Sequence, residues 1–182
     1  MMELDLTERE LERKTVFHGI IIDVRQDTVE LPDGTSAVRE VVQHPGGVSI
    51  VAVDERMNAL MVRQYRYAMG REMLEVPAGK LELGEDPAQA ARRELREETG
   101  CVCSGFEALG RVAASPGVYS ETLWLYLATG LEYVGEQPDE GEFLKIERIP
   151  LSELRKRCLS GEIEDAKTNI AVLRACAHLG VE

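Results

Sequence analysis

A chain of 182 residues is long enough to bury a proper core as one domain. Its net charge of −12 argues against nucleic-acid binding, which needs a basic patch, but not against nucleotide substrates, because Mg²⁺ can mediate between carboxylates and phosphates. No apolar run approaches membrane-spanning length and the start, MMELDLTERELERK, lacks an apolar signal core, so a cytoplasmic protein is expected.

Residues 1–13 read as a short polar lead-in with one helical turn. Residues 14–24 alternate loosely and suggest strand. Thr28-Val29-Glu30-Leu31 runs into Pro32-Asp33-Gly34, a strong turn signal, and 36–43 resumes extended character, so 20–43 reads as a hairpin. Pro45-Gly46-Gly47 breaks the chain. Residues 48–53 read as a buried strand, 59–65 as the next, and 72–76 as a short one leading to Pro77-Ala78-Gly79. A helix follows over about 87–99. Residues 106–113, 122–128 and 143–149 are further strands, and 151–159 and 165–179 are helices. Strands interspersed with a few helices imply an α+β or α/β layered domain. The four cysteines show no metal spacing with histidines and read as mostly buried thiols. His18, His44 and His178 are scattered and read as structural. Trp124 lies among apolar strand neighbours and reads as core.

One stretch, 79–101, GKLELGEDPAQAARRELREETGC, carries chemistry. Asp86 suits an N-cap, Pro87 the first helical position and Gly100 the stop. Ala88, Ala91 and Leu95 form a narrow apolar stripe. Glu94 and Glu98 lie four apart on a neighbouring face, and Glu97 lies close to it. Like charges at that spacing destabilise a bare helix by roughly 0.2–0.5 kcal/mol per pair. Arg93 and Arg96 offset part of this, and a hard cation would offset more.

Gly79, Glu85, Arg93-Glu94-Leu95, Glu97-Glu98 and Gly100 stand at the spacing of the Nudix box, with Cys101 an unusual choice for its last, aliphatic position. The chain resembles a Nudix hydrolase. Val62-Arg63-Gln64-Tyr65-Arg66, Glu75-Val76-Pro77-Ala78-Gly79, Arg39-Glu40-Val41-Val42 before His44-Pro45-Gly46, and Ser115-Pro116-Gly117 resemble its ADP-ribose or nucleotide-sugar pyrophosphatase group. The resemblance runs from about residue 14 to residue 150. It implies an α/β/α sandwich around a mixed sheet, preceded by an N-terminal β-hairpin layer. The chain then divides into 1–43, a dimerisation element, and 44–182, the hydrolase domain, and a homodimer is expected.

The resemblance also implies residue roles. Glu94 and Glu98, with Glu97 and the Ala78 carbonyl, match metal ligands for two or three Mg²⁺ ions, with Mn²⁺ as the substitute. Glu97 also counts among the catalytic carboxylates. Glu85 and Arg93 match a structural ion pair. The general base is expected in the acidic loop 135–142, with Glu142 first and Glu140 second, and Glu136 and Asp139 behind them. Arg63 and Arg66, read as sharing a strand face, offer forks for diphosphate, Arg66 the better. Glu40 and Arg39 match nucleoside-contacting positions, where Arg39 replaces a stacking aromatic. Glu121 is expected on the sugar side. The reaction implied is ADP-ribose plus water giving AMP plus ribose 5-phosphate. Alternatives are another nucleotide sugar such as ADP-glucose or GDP-mannose, an oxidised nucleoside triphosphate, and a non-hydrolysing ADP-ribose sensor. An isoprenoid diphosphate isomerase lacks the cysteine setting it needs.

Overall fold

The computed structural model describes residues 5–135 and 143–182. Its contacts divide the chain into two units, Met1–Gly46 with Ala113–Glu121, and Gly47–Val112 with Thr122–Glu182.

The first unit is built on antiparallel pairing. β3 (Asp23–Glu30) and β4 (Ser36–Gln43) pair along their whole length around the Pro32-Asp33-Gly34 turn. Asp33 makes that turn by accepting from the backbone N–H of Thr35 at 2.9 Å. β1 (Arg9–Glu12) and β2 (Thr15–His18) both add to the other edge of β3. The lead-in is therefore a strand and not a helical turn. Residues 14–24 are likewise two strands, because 19–22 break the pairing. β1 is exposed at every position, so it carries no apolar period that a sequence pattern could register.

The second unit is a sheet between two helical layers. β5 (Gly47–Val53) is buried throughout. It pairs antiparallel with β6 (Asn58–Arg66) and with the short β8 (Ala78–Lys80). β6 in turn pairs with β7 (Arg71–Glu75) and β11 (Lys145–Pro150). β9 (Cys101–Ser115) and β10 (Tyr119–Tyr133) pair with each other, and β10 runs parallel to β5. One face packs Val48, Ile50 and Ala52 under Ala90, Ala91 and Leu95 of α1 (Pro87–Thr99). The other packs Val51 and Val53 against α2 (Leu151–Ser160) and α3 (Ala166–Leu179) through Leu154, Ala171, Val172 and Ala175. This is the α/β/α arrangement, with parallel and antiparallel pairs in one sheet. Burying a side chain such as Leu95, with none of its surface exposed, contributes about 1.5–3 kcal/mol.

Several bounds differ from the sequence reading. β9 and β10 each span 15 residues, about twice the expected length, because polar, exposed residues extend them beyond the apolar runs that the sequence shows. β8 was not expected: three residues, Ala78-Gly79-Lys80, two of them small, give no pattern. β11 begins at Lys145, two residues after Phe143, which is exposed. All four cysteines are free thiols, three buried and Cys103 half-buried. Trp124 is partly buried against the α1-side cluster. No described helix is long and apolar enough to cross a membrane.

Candidate active site

α1 begins as its sequence dictates. The Asp86 carboxylate accepts from the backbone N–H of Ala88 at 3.0 Å and of Gln89 at 3.1 Å, and Pro87 opens the helix. Gly100 ends it with φ 69°, donating its N–H to the Arg96 carbonyl at 2.9 Å. The buried stripe is Ala90, Ala91 and Leu95, with Ala88 only at its margin. Glu98 lies on the buried side, 5% exposed, and accepts from the Ala78 N–H at 2.9 Å. That bond ties α1 to β8. Gly79 brings backbone and helix together: a Cβ there would overlap the Glu94 carboxylate.

Arg93 is the hub of the acidic helix. Its Nε and Nη2 donate to the two oxygens of Glu85, each at 3.0 Å. Its Nη1 donates to Glu94 at 2.7 Å and to Glu97 at 2.8 Å, and Nη2 reaches the Lys80 carbonyl at 3.2 Å. The Glu85 carboxylate, then Glu94 and Glu97, raise the Arg93 pKa against the opposing effect of burial. Arg93 in turn holds Glu85 below the ordinary carboxylate range. One guanidinium thus pins the loop 80–85 to α1 and relieves the crowding of Glu94 and Glu97. Arg96 is exposed and takes no such part.

Behind Ala78 lies a second charged group. Glu75, 1% exposed, receives a bidentate pair from Arg66, Nε and Nη2 each at 2.7 Å. Lys167 of α3 also donates to Glu75 and lies 3.0 Å from Asp165. Burial alone raises the Glu75 pKa, but Arg66 and Lys167 outweigh it and hold the carboxyl below its ordinary value. The charge of Glu98 is close enough to help raise the pKa of Arg66. Neither Glu75 nor Lys167 stood out in the sequence as functional. The available signal was a carboxylate inside the apolar run Met73-Leu74-Glu75-Val76.

Arg63 does not share a face with Arg66. Residues three apart on a strand point to opposite sides. Arg63 pairs with Glu147 of β11 at 2.6 Å, whereas Arg66 turns to Glu75. In the first unit, Arg39 gives Nε and Nη2 to Glu8 at 2.8 and 2.6 Å. Glu40 is exposed opposite Gln26. Glu121 lies 3.5 Å from Nδ1 of the buried His44, whose ring packs on Tyr119. Glu142, Glu140, Glu136 and Asp139 lie outside the described residues.

Among the described residues, no three His, Cys, Asp or Glu side chains converge closely enough to hold a metal ion. The donor chemistry nevertheless suits a hard cation. Glu94, Glu97 and Glu98 offer carboxylate oxygens from one helix, beside the backbone of Ala78 and Gly79.

The model of the NUDIX domain matches residues 43–170. The chain belongs to the Nudix family. A second model, the nucleoside diphosphate sugar hydrolase N-terminal domain, matches residues 8–42 of this Nudix hydrolase. A methanol dehydrogenase activator of Bacillus methanolicus is 40% identical over 167 residues, 91% of this chain and 90% of the relative. An ADP-ribose pyrophosphatase of Bacillus subtilis (strain 168) is 38% identical over 169 residues, 92% of this chain and 91% of the relative. The fold matches the crystal structure of an ADP compounds hydrolase with a TM-score of 0.84, at 23% identity over 97% of this chain and 96% of the other. Nudix hydrolases generally use divalent metals such as Mg²⁺.

Proposed function

We propose that this Nudix pyrophosphohydrolase cleaves the diphosphate of a nucleoside diphosphate sugar, with ADP-ribose giving AMP and ribose 5-phosphate. The observation that carries this reading is the match of residues 8–42 to the nucleoside diphosphate sugar hydrolase N-terminal domain, joined directly to the Nudix domain. The relative named ADP-ribose pyrophosphatase supports the choice of sugar.

Glu94, Glu97, Glu98 and the Ala78 carbonyl would hold two or three Mg²⁺ ions, with Mn²⁺ as substitute. When bound, the ions supply polarisation of the phosphoryl oxygens and acidify water. Arg66 binds the diphosphate through the guanidinium edge that Glu75 leaves open. Arg63, tied to Glu147, is the weaker phosphate contact. Glu40 and Arg39 face the nucleoside, and Glu121 the sugar. Glu142, then Glu140, takes the proton of the attacking water. The enzyme works in the cytoplasm as a homodimer, without nucleic acid, through its N-terminal β-layer.

The test is hydrolysis of ADP-ribose, ADP-glucose and GDP-mannose with Mg²⁺ and with Mn²⁺, products resolved by chromatography. ADP-ribose is expected to give the highest kcat/KM. A higher value for another sugar would overturn the substrate assignment. Sedimentation should give twice the 20.2 kDa of one chain. The likeness to a methanol dehydrogenase activator favours a second reading, stimulation of a partner dehydrogenase. It is tested by adding the chain, and its Glu98→Gln variant, to an alcohol dehydrogenase assay.

A further inference from the structure

α3 begins with an arrangement that helix physics alone disfavours. Asp165 is its N-cap and Lys167 stands in its first turn, where a cation opposes the helix dipole. Lys167 is nevertheless largely buried, because it donates to Glu75 and lies 3.0 Å from Asp165. The next residue, Thr168, is fully buried, and its Oγ1 accepts the Val76 N–H at 3.0 Å. The first turn of α3 therefore grips residues 75 and 76 by side chain and backbone. Beyond them, the Pro77 carbonyl accepts from the Ile50 N–H at 2.8 Å, and the Ala78 N–H goes to Glu98.

Glu75 then holds Arg66. Both carboxylate oxygens are engaged by Nε and Nη2, which fixes the plane of the guanidinium. Its remaining edge carries the Nη1 donors, and the side chain is 39% exposed. A fork fixed in this way meets a diphosphate without losing rotamer freedom on binding.

We infer that Lys167 and Glu75 are positioning residues, a relay from α3 that fixes Arg66 to receive the diphosphate of the substrate. This rests on the reading of Arg66 as the diphosphate contact. Lys167 touches neither substrate nor metal in this scheme and acts only through Glu75. Arg66 thereby depends on a helix more than 100 residues further along the chain.

The experiment is a double-mutant cycle on the full chain, using Arg66→Ala, Lys167→Met, Lys167→Arg and the Arg66→Ala/Lys167→Met pair. Thermal melts first establish which variants fold. Two quantities are read: KM and kcat for ADP-ribose, and the affinity for ADP by calorimetry with Mg²⁺ present. Lys167→Met should raise KM and weaken ADP binding by about 10- to 100-fold, with kcat falling less. Lys167→Arg, which restores the cation, should recover most of the loss. The paired variant should bind ADP no worse than Arg66→Ala alone, because Lys167 has nothing left to position. Parental KM and ADP affinity in a folded Lys167→Met would overturn the relay, as would losses that add in full. If Lys167→Met does not fold, Lys167→Gln, which keeps a donor without the charge, is measured against the same expectations. Failure of the parental chain to hydrolyse any nucleotide sugar would sink the substrate reading alone, since ADP binding still decides the relay. Absence of ADP binding by the parental chain would overturn both.

Discussion

Glu98 differs from the other carboxylates of its helix in what surrounds it. Glu94 and Glu97 share the guanidinium of Arg93, whereas Glu98 is turned inward onto a backbone N–H of the neighbouring strand. A carboxylate fixed by a main-chain bond is held in a defined orientation. Glu98→Gln keeps the shape and can keep a bond to Ala78, but it removes the charge. Its kcat should fall by about 100-fold or more, beyond the roughly 10–100-fold typical of losing a group that merely supports a ligand. Stopped assays over a Mg²⁺ titration would measure this, and parental turnover would exclude Glu98 as a ligand. These helix positions were legible because a fixed spacing survives in one dimension. Glu75 was not legible, since its partners Arg66 and Lys167 meet it only when β6, β7 and α3 are packed together. The pairing of Arg63 with Glu147 is hidden for the same reason, and misreading the strand period put it on the wrong face.

At the level of elements, α1 is where local and tertiary preferences agree most closely. The cap, the proline and the glycine stop were visible in the sequence and sit where expected, whereas the apolar stripe is rotated from Ala88 to Ala90 while keeping Ala91 and Leu95. The buried strands β5 and β6 were equally visible, because continuous apolar runs register without a partner. β1 and β8 were not visible. One is fully exposed and the other is three residues long, so pairing defines them and composition does not. The cap gives the element-scale prediction. Asp86→Ala removes the side-chain acceptor of the Ala88 and Gln89 N–H groups, of which Gln89 keeps the Asp86 carbonyl at 3.0 Å, and should cost about 1 kcal/mol of stability. In a chain of this size that lowers the melting midpoint by roughly 2–4 °C. Calorimetry of the two proteins measures it. No shift would mean that water replaces the cap at no cost.

Across the whole molecule, acid sets two effects against each other. Protonation of surface carboxylates first relieves the self-repulsion of a chain carrying −12, which favours the folded state down to the isoelectric region near pH 4.8. Glu75 works the other way. Burial raises its pKa, but Arg66 and Lys167 bring it below the ordinary value of 4.5, and Arg93 does the same for the more open Glu85. A carboxyl whose folded pKa is depressed stabilises the fold above its unfolded value. That stability is lost as pH falls through the folded pKa. The two effects together give a plateau that breaks only below about pH 4.5, where Glu75 must be protonated between two cations. Cys158 contributes the largest share of the alkaline limb. Burial, helped by Cys176, pushes its thiol from 9.0 to about 11, so the unfolded chain releases that proton first and stability falls between those values. Melting midpoints measured from pH 3 to pH 11 should therefore be level from about 5 to 8.5 and fall at both ends. Unfolding at pH 4 should take up protons, measurable by potentiometry, and Cys158→Ala should make the alkaline limb shallower, the rest of it being carried by Cys176, Cys103, Tyr119 and Tyr126, while leaving the acid limb in place. Midpoints level down to pH 3 would mean that the buried Glu75 is not held ionised by Arg66 and Lys167.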